Sequence, residues 1–377
     1  MPVPELSRAG APAGRRCFSC SLRTAAFEAD SRGLRSLLEA MFGPARNLTP
    51  WNGSRRVLLV LVLVSAGFGL GGCGSGTDEQ ISAATKAPPP ASEFPSSSGQ
   101  TWTEFVATAP KDPQIVVEPA GRTYEPGRNR FSFGVFRVDR SEISDAEVAI
   151  YVARDSDDVL EGPFPARRES LQTKAPFKSQ TVSSDPLAAT VAYVSEVRFD
   201  KPGSWHVIAI VKEGDEFVPS LMPDIKIGSY SRIPDVGDRA PKVHTPTAAD
   251  VGGDLTKIDT RQPPDSMHDI DFADVVGTKP TVLLFSTPAL CMSRVCGPMV
   301  DIEEQVKSET DGDVAFIHQE VYNDNDPNKG IRPQLAAYGL QTEPWLFVID
   351  REGRISTRIE GAFSVADLKD AVAEARG

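Results

Sequence analysis

Two cysteines with four residues between them, Cys291 and Cys296, stand in the segment STPALCMSRVCGPM spanning 286–299. A thiol pair this close can form a disulfide, exchange it with another protein's thiols, or bind a soft metal ion. On a regular helix, residues five apart point about 140° away from each other. A bond between the two sulfurs therefore needs Cys291 outside any helix, a break that Pro288 upstream can supply. Arg294, between the cysteines, adds a cation that favours a thiolate. Met292 and Met299 flank the pair and bring soft sulfur that suits copper(I). The remaining cysteines are Cys17, Cys20 and Cys73, and no Cys/His group has the spacing of a four-ligand zinc site. No dissociable cofactor is implied. A plain structural disulfide is the competing reading, although so short a loop removes little unfolded-state entropy.

The elements around the pair are regular. TVLLF (281–285) predicts a buried strand, and a helix follows Pro298 to about Lys307 with Val300, Ile302 and Val306 on its apolar side. VAFIHQEVY (314–322) predicts a second strand, in which His318 is expected as a packed core residue. A short helix over 330–338, a strand WLFVID (345–350), a turn at Glu352-Gly353 and a strand RISTRIEG (354–361) come next. The last helix starts at Ser364, whose hydroxyl can cap, with Asp367 three residues on. Residues 271–276 predict an extra helix before the first strand.

This β-α-β-α-β-β-α order, with cysteines between the first strand and its helix, resembles the thioredoxin-like proteins over about 236–377. The resemblance implies an α/β domain, assigned to 246–377, and a reactive cysteine at a helix N-terminus, where the dipole favours the attacking thiolate. It also implies a cis-proline facing the cysteines, a place held by Pro344 in Glu343-Pro344-Trp345. Pro344 is thus the expected substrate-docking element, and Arg294 and Glu343 the expected tuners of thiol pKa. The spacing departs from the family, which has two residues between cysteines. Either Cys296 holds the nucleophile position with Cys291 as a partner on the preceding loop, or Cys291 attacks and Cys296 resolves. The first core strand lacks the buried acid that thioredoxins use for proton transfer. Sco-type copper chaperones share the fold, but no histidine follows His318. Peroxiredoxins share it too, but Thr287 is four residues from Cys291, not three.

Residues 113–230 carry strand signals instead: FSFGVFRV (131–138), AEVAIYVAR (146–154), ATVAYVSEVRF (189–199) and SWHVIAIVKEG (204–214). Alternation with Gly, Pro and Asp breaks predicts an all-β sandwich, which resembles immunoglobulin-like modules. His206 beside Trp205 is expected to be structural. Residues 231–245 read as a linker.

Upstream, Arg55-Arg56 precedes sixteen uncharged residues and then Leu70-Gly71-Gly72-Cys73. That run is short for a membrane span and fits an export signal. It resembles a bacterial lipoprotein signal, which implies lipidation of Cys73 and anchoring in a lipid bilayer. Met41 would open a signal of ordinary length over 41–72, leaving 1–40 as an upstream extension that starts too early and the Cys17/Cys20 pair without a role. Residues 73–112, rich in Ser, Pro and Gly, are expected to form a disordered tether.

Net charge is −12, with +5 in residues 1–72 and −17 after them. That acidic body argues against nucleic acid as a partner. The expected activity is extracytoplasmic thiol–disulfide exchange with the thiols or disulfides of exported proteins. The alternatives are a binding lipoprotein with a structural disulfide, or a copper(I) carrier.

Overall fold

A computed structural model describes residues 85–107, 109 and 114–377, all within one compact unit that spans 70–377. The export signal, the lipobox with Cys73, and the Cys17/Cys20 pair lie outside the described residues. Among the described residues no helix is long and apolar enough to cross a membrane.

The chain enters through helix α1 (Trp102–Val106), held by a capping box between Thr101 and Glu104. Eight strands follow: β1 (Ile115–Pro119), β2 (Gly127–Arg137), β3 (Glu147–Ala153), β4 (Glu161–Ser170), β5 (Val191–Phe199), β6 (Gly203–Glu213), β7 (Glu216–Leu221) and β8 (Ile225–Ile227). A short helix α2 (Gln180–Ser184) lies between β4 and β5. All pairings are antiparallel, in the order β1-β2-β5-β4-β3-β6-β7 with β8 on β6. Ser220 on β7 donates to the Ile115 carbonyl on β1 at 3.0 Å, so the two ends of the sheet meet. The all-β expectation for this region holds at that level. Its arrangement is one sheet curled on itself, where the alternation had predicted two facing sheets of immunoglobulin type. Inward residues Phe131, Phe133, Tyr193, Phe199 and Trp205 fill the enclosed core.

The composition of 73–112 had indicated a mobile tether, and the described part of it, 85–107, is folded instead. Phe94, Trp102 and Phe105 cover the outer face of β3 and β6, over Ala149, Tyr151, Ile208 and Ile210. The physical reason is visible in β3 and β6, whose apolar runs present hydrophobic side chains on both faces and so need an outer cover.

The C-terminal part is an α/β unit with the expected order of elements. After α3 (Phe272–Val275) it runs β9 (Thr281–Phe285), α4 (Cys296–Ser308), β10 (Ala315–Gln319), α5 (Pro333–Ala337), β11 (Trp345–Ile349), β12 (Ile355–Glu360) and α6 (Val365–Arg376). The sheet order is β10-β9-β11-β12, with β9 and β10 parallel and β11 antiparallel to both neighbours. Strand periodicity sorts its side chains. Val282, Leu284, Leu346 and Val348 pack under α4 and α6, while Leu283, Phe285, Phe347 and Ile349 face α3 and α5. Residues 237–240, within the stretch read as a linker, are bound to the start of β12. Gly237 N–H reaches the Ile355 carbonyl at 2.8 Å, and Ala240 N–H the Gly353 carbonyl at 3.0 Å.

The two parts are joined by polar contacts. Arg130 on β2 pairs with Asp367 on α6 at 2.8 Å, and Arg358 on β12 with Glu125 at 2.8 Å. Arg261 meets Asp301 on α4 at 2.9 Å while also donating to the Phe177 carbonyl.

Candidate functional site

β9 ends at Phe285, and the chain must then turn into α4. Ser286 fixes this turn by donating its hydroxyl to the Cys296 carbonyl at 3.1 Å. Arg294 takes a left-handed conformation (φ 63°), which lets the loop double back so that Cys296 opens the helix. Cys291 stays in the loop, outside the helix, as the spacing requires. The two sulfurs are bonded, with Cα atoms 6.0 Å apart. Their surroundings differ. Cys296 is fully buried at the first position of α4, whereas Cys291 is partly exposed and lines a cleft of about 260 Å³ with Pro288, Val182, Asp185 and Arg294. The unpaired N–H groups of the first turn and the helix dipole favour a thiolate at this end of α4.

Pro344 follows a cis peptide bond from Glu343. Because Trp345 pairs with Phe285, Pro344 and the start of the cysteine loop lie at the same edge of the sheet. The Pro344 carbonyl is taken by Gly361 N–H at 2.9 Å. The backbone N–H and C=O of Glu343 have no hydrogen-bond partner among the described residues.

The expected tuners part company. Arg294 sits between the cysteines, forms no ion pair among the described residues, and shares the cleft with Asp185. The Glu343 side chain turns to Tyr322 and Arg122. Burial raises its carboxyl above the usual range, and those two groups oppose the shift. The methionines part company as well. Met292 is 94% exposed, while Met299 is buried with its sulfur accepting from Phe363 N–H at 3.1 Å. His206 bonds Asp224 at 2.8 Å and stacks on Trp102, consistent with packing.

Sequence reasoning missed the acids beneath the loop. Asp259, Asp265, His268 and His318 are buried together. His318 is buried in the core as expected, and its neighbours there are charged. Its Nδ1 lies 2.7 Å from Asp265, and its Nε2 lies 3.1 Å from the Ser286 carbonyl at the base of the cysteine loop. Burial works against charge on both rings, and the carboxylates overcome it, raising His318 above its ordinary value and His268 to about 10. Burial likewise opposes the charge on Asp265, and the two imidazoles still hold it well below the carboxylate range. Glu303 on α4 is also buried, with neither carboxyl oxygen hydrogen-bonded, and its pKa is raised by burial first and the Asp265 charge second. The signal that could have found the cluster is the run Asp259-Thr-Arg-Gln-Pro-Pro-Asp265-Ser-Met-His268, too rich in paired polar residues for a solvated linker.

No protein-family model matches the chain, and no curated protein sequence matches it. Among solved structures, it is similar to one described as a thiol:disulfide interchange protein DsbE from Chlorobium tepidum. That match has 17% identity and a TM-score of 0.28, over 38% of this chain and 98% of the other. It is also similar to a thioredoxin-like superfamily protein, at 18% identity and a TM-score of 0.23, over 29% of this chain and 87% of the other.

Proposed function

We propose that the chain is an extracytoplasmic thiol–disulfide oxidoreductase, anchored to a bilayer through a lipid on Cys73, that acts on exported proteins. The observation that carries this reading is the unequal burial of the bonded pair: Cys291 reaches solvent and Cys296 does not. Exchange needs one sulfur that a client can approach and a second that only its neighbour can reach.

In the reducing direction the Cys291 thiolate attacks one sulfur of a client disulfide. The client S–S bond breaks, a mixed disulfide forms, and one client thiolate leaves and takes a proton. The Cys296 thiolate then attacks the Cys291 sulfur, releasing the second client thiol. Two electrons pass to the client, and the Cys291–Cys296 bond is restored. The oxidising direction is the reverse. Glu343, with its backbone polar groups unpaired next to Pro344, offers an extended client segment two hydrogen bonds. Arg294 stabilises the attacking thiolate. The copper(I) alternative loses support because Met299 is committed to Phe363 and Met292 projects into solvent.

Trapping tests the assignment. In Cys296→Ser, a client peptide disulfide should accumulate as a mixed disulfide on Cys291, resolved by added dithiol. In Cys291→Ser, the buried Cys296 should trap little or none. Equal trapping by both variants, or by neither, contradicts the proposal. Mass analysis of the mature N-terminus tests the lipid on Cys73.

A further inference from the structure

We infer that Asp259, Asp265, His268 and His318 form a closed divalent-metal site of the zinc class, which holds the segment 259–268 against β10 and the base of the cysteine loop. The four side chains are at most 2% exposed. Four ligands at about 2.1 Å from a common centre in a tetrahedron stand about 3.4 Å from one another. His268 Nε2 is 3.4 Å from Asp259 Oδ2 and 3.4 Å from Asp265 Oδ1. His318 Nδ1 is 2.7 Å from Asp265 Oδ2 and 3.9 Å from Asp259 Oδ1. These pairs run through both oxygens of each carboxylate, and one donor atom from each of the four residues lies within 4.8 Å of the others.

A second observation points to a ligand. His268 Nε2 is buried between the two carboxylates and has no hydrogen-bond partner among the described residues. A metal ion there would bond this nitrogen and both carboxylates at once, in place of ion pairs too long for good hydrogen bonds. The surroundings are also those of a metal site. His318 Nε2 donates to the Ser286 carbonyl at 3.1 Å, which leaves Nδ1, now donating to Asp265 at 2.7 Å, as the nitrogen that would give up its proton to a metal ion. Asp259 is held by the N–H groups of Arg261 and Asp265, both at 2.7 Å, and Asp265 by Met267 N–H at 2.8 Å.

The donor set selects the ion. Two imidazole nitrogens and two carboxylates suit zinc and exclude copper(I), which takes soft sulfur. Two carboxylates also neutralise a divalent ion, so the loaded site carries no net charge into the interior. Four protein ligands leave no open position, and the site is structural.

The test uses the full chain, stripped with chelator and titrated with zinc and then cobalt. The wild type should bind one equivalent, show the visible absorption of tetrahedral cobalt(II), and rise in thermal midpoint on loading. His268→Gln should lose all three responses while keeping the Cys291–Cys296 bond. His268→Cys keeps a ligand and should add a thiolate-to-cobalt charge-transfer band. Cys17→Ser/Cys20→Ser should bind as the wild type does. The inference is overturned if the folded wild type binds no metal, if His268→Gln binds as the wild type does, or if folded His268→Cys lacks the thiolate band. None of these readouts depends on disulfide exchange.

Discussion

Arg261→Met tests how the cysteine-bearing helix is held. The Arg261 side chain is 6% exposed and that of Asp301 is 1% exposed, with Nε to Oδ1 at 2.9 Å. The two remaining guanidinium nitrogens donate to the carbonyls of Pro263 and Phe177, each at 2.8 Å. Asp301 Oδ2 accepts from the Ser179 N–H and hydroxyl. Methionine keeps the length of the side chain and strands the carboxylate. Removing one partner of a buried pair costs about 3–5 kcal/mol. An independent bound comes from protonation. Burial already raises the Asp301 pKa, opposed by Ser179 and Arg261, so loss of the guanidinium raises it further. The unfolded chain ionises it near pH 3.9, so protonation caps the cost at about 4 kcal/mol at pH 7 and about 1.5 kcal/mol at pH 5. The sign follows from a native pKa above the unfolded one: the variant is least impaired at low pH and loses stability as pH rises. Urea unfolding of the oxidised chain followed by circular dichroism should give a loss near 4 kcal/mol at pH 7 that shrinks by about half or more at pH 5. Arg261→Met/Asp301→Leu should recover most of it. A loss under about 1 kcal/mol at pH 7, or equal losses at both pH values, refutes the reasoning.

Three further outcomes follow from other sites. Glu303 ionises at 4.5 in the unfolded chain and well above that in the native one, so the native state holds an extra proton and its stability falls as pH rises through that interval. Glu303→Gln should therefore gain on the wild type by up to about 1.4 kcal/mol per pH unit between pH 5 and 7, and an unchanged difference in chemical denaturation would contradict this. Gly361→Ala places a Cβ 2.6 Å from the Ala120 carbonyl at a φ of 83°, and should cost at least about 1–3 kcal/mol in a thermal melt. Phe105→Ala uncovers Tyr151 and should cost about 3 kcal/mol, with wild-type stability counting against the folded 85–107 segment.

The C-terminal part was legible because its signals are local. TVLLF and WLFVI are buried strands at the expected residues, and Ser364 and Asp367 form both hydrogen bonds of the capping box. The cis bond at Pro344 and the position of Cys291 outside the helix also match expectation. What escaped depends on partners distant in sequence. Alternation told which side chains of β2 and β5 turn inward, but not that β7 returns to β1. EGPFPARRES carries Pro163 and Pro165 and still forms β4, with Pro165 opposite Ala149 and Pro163 at a register shift against β3. Phe94, Trp102 and Phe105 are too sparse to outweigh the Pro and Ser around them until the outer face of β3 calls for cover. Asp259, Asp265 and His268 follow no period, and only His318, fifty residues on, shows that they are buried.

The reduction potential of the Cys291–Cys296 pair, measured in glutathione buffers on the purified full chain, tests the exchange reading most directly. A pair poised for exchange should equilibrate above about −300 mV, within reach of biological dithiols. A value well below about −300 mV would mark an inert bond and contradict the account.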